Sequence, residues 1–109
     1  MEPFSVFKAI AAPLTRENID TDQILPARFL IMPRDDKYRT YLFRDLRLTN
    51  TGSEDVSFAL NKKPFREARI IVAGKNFGCG SSREGAIFTL VDAGFRCVIA
   101  PSFGDIFYN

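Results

Sequence analysis

The sequence contains no histidine and only two cysteines, Cys79 and Cys97, which lie eighteen residues apart. Without histidine the chain can form neither a Ser-His-Asp triad nor an H-E-x-x-H zinc site, and it has no histidine general acid or base. Two thiols at this spacing fit neither a disulfide framework nor a Cys-x-x-Cys motif. We therefore assign no metal site to this chain, and any metal must be held largely by another molecule.

The sequence also lacks a strong excess of charge and a long hydrophobic run. Its 15 basic and 13 acidic residues give a net charge of +2 and are spread along the chain, which argues against nucleic-acid binding. No apolar run is long enough to span a membrane, and the N-terminus shows no apolar signal region. We therefore expect no nucleic-acid or membrane partner and a cytoplasmic location.

Length and composition indicate one small domain over residues 1–109. The sequence is 46% hydrophobic with eleven phenylalanines, enough apolar material for a single core. Near its end, Ser102 and Asp105 form an S-x-x-D helix-start signal, yet only four residues follow, too few for a stable helix. We therefore expect the natural chain to continue beyond Asn109.

Residues 68–100 carry the pattern of a βαβ unit and place the chain in the α/β class. The apolar run 68–73 predicts a buried strand, and a second strand is predicted from Cys97 to Ala100. Between them, Ser81 and Glu84 have capping-box spacing and Gly94 closes a helix predicted over about 82–93. A right-handed crossover with parallel strands places the loop before this helix at the carboxyl edge of the sheet.

Weaker patterns predict three further elements in the first two thirds of the chain. Residues 5–11 suit a strand that Pro13 interrupts, and residues 56–60 suit a short strand with Phe58 and Leu60 on one face. Between 35 and 46 apolar residues recur at helical spacing, with Asp35 or Asp36 available as the N-cap. Residues 50–52 end this helix, and a turn is predicted at 61–64.

The glycine-rich loop 74–84 reads Gly-Lys-Asn-Phe-Gly-Cys-Gly-Ser-Ser-Arg-Glu. It brings two hydroxyls, from Ser81 and Ser82, and the guanidinium of Arg83 to a helix start, which suits an anion. It is not a nucleotide motif, because position 83 is Arg where G-x-G-x-x-G needs glycine, and Gly74-Lys75 lacks Walker spacing. The spacing alone also fits a purely structural interpretation, in which Ser81 caps the helix and Arg83 is solvated.

Three segments resemble the swivelling domain of the aconitase superfamily. Residues 76–84, Asn-Phe-Gly-Cys-Gly-Ser-Ser-Arg-Glu, resemble its signature, and residues 100–107, Ala-Pro-Ser-Phe-Gly-Asp-Ile-Phe, resemble the segment that follows it. Residues 18–29, Asn-Ile-Asp-Thr-Asp-Gln-Ile-Leu-Pro-Ala-Arg-Phe, resemble the opening of one branch, the separately encoded small subunits of 3-isopropylmalate dehydratase. The resemblance implies a swivelling β/β/α domain.

The same resemblance implies a hydro-lyase of two chains. A large subunit carries a 4Fe-4S cluster, and this small subunit binds none itself. The substrate is a small branched hydroxy-diacid, and 2-isopropylmalate becomes 3-isopropylmalate by dehydration and rehydration through 2-isopropylmaleate, a step of leucine biosynthesis. The alternatives are a small subunit for another diacid, such as homoaconitate, a methylmalate or citraconate, and a carboxylate- or phosphate-binding module without catalysis.

Carried over residue by residue, the resemblance makes Ser81 the base that takes the carbon-bound proton. Ser82 and Arg83, with Gly80, then hold a substrate carboxylate, and the partner's iron acts as Lewis acid on the departing hydroxyl. The planar fork of Arg83 suits a carboxylate, because it can donate two parallel hydrogen bonds. A helix N-terminus stabilises an anion by only about 0.3–2 kcal/mol. We therefore expect Ser81 to become a competent base only when the cluster-bearing partner closes on it.

Other residues of these segments are assigned structural or supporting roles. Asp20, Thr21 and Asp22 can form a local turn through their short side chains, and the family places this loop near the active-site face. Cys79 is interpreted as a small loop residue, because one thiol cannot supply the ligands of a cluster. Asn76 and Glu84 are also placed behind the residues that touch substrate.

Two positions raise the question of substrate specificity. Residues 30–38 lie where the family's small subunits vary in a loop that senses the substrate's side chain, so Arg34 is a candidate for substrate binding, with a solvated arginine as the alternative. Many members carry histidine where this sequence has Gly85. Glycine in a first helical turn costs up to about 1 kcal/mol relative to alanine. We therefore predict close packing or a backbone contact at Gly85.

Overall fold

A three-stranded parallel sheet organises the computed structural model, which describes residues 9–80 and 84–104. Strands β1 (Ala11–Leu14), β2 (Ile70–Ala73) and β3 (Cys97–Ile99) stand in the order β1-β2-β3. In this register Val72 lies opposite both Pro13 and Ile99. The helices are two single turns, α1 (Thr21–Ile24) and α2 (Arg44–Arg47), and the longer α3 (Glu84–Asp92). Four 3-10 turns complete the described elements: Ala27–Phe29, Tyr38–Tyr41, Ala59–Asn61 and Phe65–Glu67.

The predicted βαβ unit is confirmed as β2, α3 and β3, with parallel strands. The described part of α3 begins at Glu84, because residues 81–83, where the helix start was predicted, lie outside the described residues. Gly94 closes the helix as predicted, at φ 96°. The amide of Gly94 donates to the carbonyl of Val91 and that of Phe95 to the carbonyl of Leu90, each at 3.0 Å. These two bonds are those of a Schellman motif, which favours glycine.

Within the described residues, the strand predicted over residues 5–11 begins at Ala11 and extends to Leu14. Residues 5–8 lie outside the described residues, and the strand that forms, β1, includes Pro13, which was expected to interrupt it. Proline is tolerated because, among the described strands, β1 lies at the edge of the sheet and pairs only with β2.

The continuous helix predicted between 35 and 46 is wrong. The chain forms the 3-10 turn Tyr38–Tyr41 and then α2, and between them Phe43 adopts the left-handed conformation at φ 51°. The Phe43 side chain is fully buried, and its ring meets that of Phe58 edge-on at 5.8 Å. Burial of this ring in the core therefore outweighs the helical spacing of its neighbours. The predicted aspartate cap is also absent, because Lys37 occupies the N-cap position.

The strand predicted over 56–60 is also wrong. Phe58 and Leu60 are both buried, as their alternation suggested. The backbone, however, makes local bonds, from Phe58 to Asp55 at 3.1 Å and from Asn61 to Phe58 at 3.0 Å, and leads into the 3-10 turn Ala59–Asn61. Alternating burial arises here although no strand pairing involves this segment among the described residues. The chain then turns through 62–64, as predicted.

The two faces of the sheet differ. Side chains of Ala12, Leu14, Ile71 and Ala73 point into the core, which also takes the buried side of α3. On the opposite face, Val72 and Ile99 remain 39% and 54% exposed. The described helices thus lie over one face of the sheet. None of the helices within residues 9–80 and 84–104 has the length and apolar character needed to cross a membrane.

Candidate functional site

The candidate site lies where the three parallel strands end. Residues 15–20 follow β1, residues 74–80 follow β2, and residues 100–104 follow β3. Because the strands run in the same direction, all three loops leave the carboxyl edge of the sheet, where α/β proteins bind ligands. The predicted position of the glycine-rich loop is thereby confirmed.

Backbone hydrogen bonds join the first two loops. The amide of Asn18 donates to the carbonyl of Lys75 at 2.8 Å, and the amide of Gly78 donates to the carbonyl of Ile19 at 2.7 Å. A third bond, at 2.9 Å, runs from the amide of Thr21 to the carbonyl of Cys79. The loop after β2 thus continues alongside the loop after β1, beyond the last paired residue of the sheet.

The third loop lies on the other side of Phe77. The amide of Phe77 donates to the carbonyl of Ser102 at 3.2 Å, and the amide of Gly104 donates to the carbonyl of Phe77 at 2.8 Å. The Ser102 hydroxyl oxygen accepts from the amide of Asn76 at 2.9 Å. Phe77 is 1% exposed, so a buried side chain anchors the middle of the glycine-rich loop. No local pattern predicts the Ser102–Asn76 contact, which joins residues 26 positions apart.

Left-handed backbone shapes the glycine-rich loop. Asn76, Gly78 and Gly80 have φ of 59°, 80° and 94°, a region that glycine enters without steric cost and asparagine tolerates. A Cβ at Gly80 would stand 3.5 Å from the Asp20 Cβ and from the Thr21 Oγ1. Gly80 therefore lies directly against the 20–22 segment.

Asp20, Thr21 and Asp22 make structural contacts. Asp20 caps α1, because its Oδ1 accepts from the Gln23 amide at 2.8 Å, while the Gln23 Oε1 accepts from the Asp20 amide at 3.0 Å. This reciprocal pair is a capping box. Thr21 is 1% exposed, and the Asp22 Oδ1 accepts from the Ala27 amide at 2.9 Å. These contacts fit the supporting role predicted for the segment.

Ser81, Ser82 and Arg83 lie outside the described residues, so their roles toward substrate stay predictions. The residues on either side are described: Gly80 is exposed beside Thr21, and Glu84 is exposed in the first turn of α3. The described residues on either side of the segment predicted to carry the chemistry are therefore both exposed.

The close packing predicted at Gly85 is confirmed. A Cβ on this residue would stand 2.7 Å from the Tyr38 Oη and 2.8 Å from the Leu25 Cδ2. The Tyr38 hydroxyl also donates to the Gly85 carbonyl at 3.4 Å, and burial raises the pKa of Tyr38 above its ordinary value. Sequence reasoning did not connect Tyr38 or Leu25 with this helix start, because no local pattern links residues so far apart.

Arg34 is paired with Asp92, the last residue of α3. Its guanidinium donates to both carboxylate oxygens of Asp92, at 3.0 and 2.7 Å, and lies 4.3 Å from the ring centre of Phe88. Asp92 ends α3, about 12 Å along the helix from Glu84 at 1.5 Å per residue. The pairing lowers the pKa of Asp92, and both partners remain partly exposed. These contacts pair Arg34 with α3 at the surface, and its role toward substrate stays a prediction.

The two cysteines are separated in the fold. Cys79 is half-buried in the loop at the carboxyl edge, whereas Cys97 is exposed at the first position of β3. Within residues 9–80 and 84–104, no group of three or more histidine, cysteine, aspartate or glutamate side chains comes together in a way that could hold a metal ion. The described residues therefore do not fit an iron–sulfur cluster, and its assignment to a partner stays a prediction.

The comparisons with known proteins agree with the geometry. The family model described as the aconitase C-terminal domain matches residues 1–109. The 3-isopropylmalate dehydratase small subunit of Rhodospirillum centenum is 52% identical over all 109 residues, which cover 54% of that protein. The small subunit of Granulibacter bethesdensis is 53% identical, with 52% of its length covered.

A solved structure shares the fold. The crystal structure of 3-isopropylmalate dehydratase (leuD) from Methanocaldococcus jannaschii superimposes with a TM-score of 0.69 at 34% identity, covering 92% of this chain and 53% of that one. The chain thus spans about half the length of the curated relatives it matches. A match over every residue, together with this common fold, confirms the resemblance: the chain belongs to the family of the aconitase C-terminal domain.

Proposed function

We propose that this chain acts in the small subunit of a two-chain hydro-lyase. The enzyme isomerises 2-isopropylmalate to 3-isopropylmalate by dehydration and rehydration through 2-isopropylmaleate, in cytoplasmic leucine biosynthesis. The observation that carries this proposal is the identity of about half of all residues with relatives named 3-isopropylmalate dehydratase small subunit. The convergence of three loops at the carboxyl edge of the sheet supports it.

In the proposed division of labour, Ser81 takes the carbon-bound proton, while Ser82, Arg83 and Gly80 hold a substrate carboxylate. Two features support this assignment. The segment directly precedes α3, and a helix N-terminus stabilises an anion by about 0.3–2 kcal/mol. A guanidinium can also bind a carboxylate through two parallel hydrogen bonds.

The cluster and the closure of the site belong to the partner in this proposal. The large subunit carries the 4Fe-4S cluster, and residues 9–80 and 84–104 of this chain hold no group of three or more ligating side chains that could bind it. Gly80 and Glu84, on either side of the proposed base, are exposed. A base between two exposed residues transfers a proton efficiently only after water has been excluded from the site. This requirement supports a partner that closes on this edge of the sheet.

The segment after the turn Ala27–Phe29 supports a branched substrate. Leu30, Ile31 and Met32 are 46%, 91% and 40% exposed, and the Leu30 Cδ2 lies 3.7 Å from where a Cβ at Gly85 would stand. Apolar surface therefore lies beside the first turn of α3. In the proposal this surface senses the substrate's side chain. Such a pocket separates substrates by about 1–3 kcal/mol per methylene.

The proposal is tested by assembling the protein with an isopropylmalate dehydratase large subunit under anaerobic conditions and measuring conversion of 2-isopropylmalate. Ser81→Ala should lower kcat by about 10²–10⁴-fold, the usual contribution of a positioned general base. Ser53→Ala is the matched control, because this serine is exposed in the 49–53 turn. No turnover by the wild-type complex, or a near-normal rate for Ser81→Ala, would contradict the proposal.

Homoaconitate, methylmalate and citraconate in the same assay test the other diacids. The remaining alternative is a carboxylate- or phosphate-binding module without catalysis. It predicts that the chain binds these anions without a partner, and that Ser81→Ala leaves the affinity unchanged if only backbone amides bind. Calorimetric titration of the unpartnered chain measures both quantities.

A further inference from the structure

The first turn of α3 lies against a tyrosine that is itself fixed in place. Tyr38 is 6% exposed, and its ring meets that of Tyr41 edge-on at 6.0 Å. Tyr41 in turn stacks on Phe29 at 4.3 Å, with the two rings 5° from parallel. An aromatic cluster therefore sets the position of the Tyr38 hydroxyl, which reaches the Gly85 carbonyl.

There is no room for a side chain at position 85. A Cβ would stand 2.7 Å from the Tyr38 Oη, about 0.7 Å closer than the 3.4 Å at which ordinary contact begins. Leu25 closes the other side, with its Cδ2 at 2.8 Å, and it is fully buried in the core. Both atoms end side chains that are buried and tightly packed, so a substitution at Gly85 has to displace these side chains or the helix start.

We propose that Tyr38 is a positioning residue, which fixes the first turn of α3 through its hydroxyl and through the space that only glycine leaves at position 85. This inference rests on the proposed function, because the residues proposed to do the chemistry directly precede Glu84 in the chain. A displacement of about 1 Å in a catalytic site can lower the rate 100-fold. The fit between Tyr38 and Gly85 is therefore coupled to turnover.

The test compares Gly85→Ala, Tyr38→Phe and the double variant, each assembled with the large subunit. Gly85→Ala should lower kcat about 10- to 100-fold, by more than it raises KM. Tyr38→Phe keeps the ring and loses one weak hydrogen bond, so it should lower kcat about 2- to 5-fold. The double variant lacks the oxygen nearest the new methyl group and should regain at least about 3-fold in kcat over Gly85→Ala.

Gly94→Ala is the matched control, because it strains the other end of the same helix at φ 96°. It should reduce stability and leave kcat at the wild-type value, which separates positioning from general destabilisation. Wild-type kcat in Gly85→Ala, or no recovery in the double variant, overturns the inference.

Failure of the proposed function is recognised separately, as no turnover by the wild-type complex. In that case amide hydrogen exchange over residues 84–90 decides the inference. Exchange should be faster in Gly85→Ala and slower again in the double variant. Unchanged exchange in Gly85→Ala overturns the inference.

Discussion

Gly104→Ala tests whether the three loops form one packed unit. A Cβ at Gly104 would stand 2.6 Å from the Gly78 carbonyl oxygen, 2.7 Å from the Cys79 Cα and 2.8 Å from the Cys79 nitrogen. All three atoms belong to the backbone of the glycine-rich loop, so no side chain can rotate away to make room. The new methyl group must push the third loop and the second apart.

The size of the effect follows from the bonds that oppose this movement. To reach ordinary contact at 3.4 Å, the new Cβ must move about 0.8 Å further from the Gly78 oxygen. The hydrogen bond from the Gly104 amide to the Phe77 carbonyl, at 2.8 Å, opposes this movement. Overpacking costs about 1–3 kcal/mol, and weakening one hydrogen bond costs up to about 1 kcal/mol. Lower entropy of the unfolded chain returns about 0.4–1 kcal/mol. We therefore expect the free energy of unfolding to fall by about 1–3 kcal/mol.

Urea unfolding followed by circular dichroism measures the global change, and hydrogen exchange over residues 74–80 measures the local one. Gly52→Ala is the control, because its φ of 85° imposes strain of about 1–2 kcal/mol with no atom within 4 Å of the new Cβ. Both variants should be destabilised, but only Gly104→Ala should accelerate exchange over 74–80. Undiminished stability of Gly104→Ala, or equal exchange in both variants, would refute the packing argument.

Two further predictions concern charged residues near and away from the loops. Asp20→Ala should lower the free energy of unfolding, measured in urea, by about 0.5–2 kcal/mol, because it removes the N-cap of α1. Asp20→Asn keeps a hydrogen-bond acceptor and should keep both stability and activity. A tenfold lower kcat in Asp20→Asn would instead show that the carboxylate charge takes part in the reaction. Because the bond from Arg34 lowers the pKa of Asp92 below 3.8, the pair adds stability above about pH 4 that is lost as the pH falls through the folded-state pKa. In Arg34→Gln, the urea midpoint should therefore fall less between neutral and acidic pH than it does in the wild type. The difference should be small, because the pair is exposed, and KM should stay unchanged. A raised KM with an unaltered acid response would make Arg34 a substrate ligand.

The fold was predictable where local signals agreed with one another. Strand β2, helix α3 and strand β3 combine apolar runs with a glycine stop, and the structure reproduces them within a few residues. The segment around Phe43 was not predictable, because its left-handed turn is stabilised by burial of the Phe43 ring against Phe58. Phe58 lies in a segment whose own sequence pattern does not predict this contact. The spacing of apolar residues along the chain does not show which of their side chains will be buried in the core.

The candidate site shows the same division. The glycine-rich loop and the segment around Asp20 could both be located from the sequence, because each contains a motif formed by consecutive residues. The sequence indicated that Gly85 is packed, from the cost of glycine in a helix, but not that Tyr38 and Leu25 do the packing. Those contacts connect segments 47 and 60 residues apart, and only the assembled fold brings them together.

The glycines at the edge of the sheet show how the site depends on its surroundings. Gly80 lies against Asp20 and Thr21, and Gly85 lies against Tyr38 and Leu25, so α1 with its caps contributes to the support on both sides of the proposed chemistry. The segment at Asp20 follows β1, and Tyr38 is set by aromatic packing. Because Asp20 and Leu25 cap the two ends of α1, a change at either support can reach the other through this helix. Substitutions in both supports should therefore couple, with free energies that are not additive when they are combined.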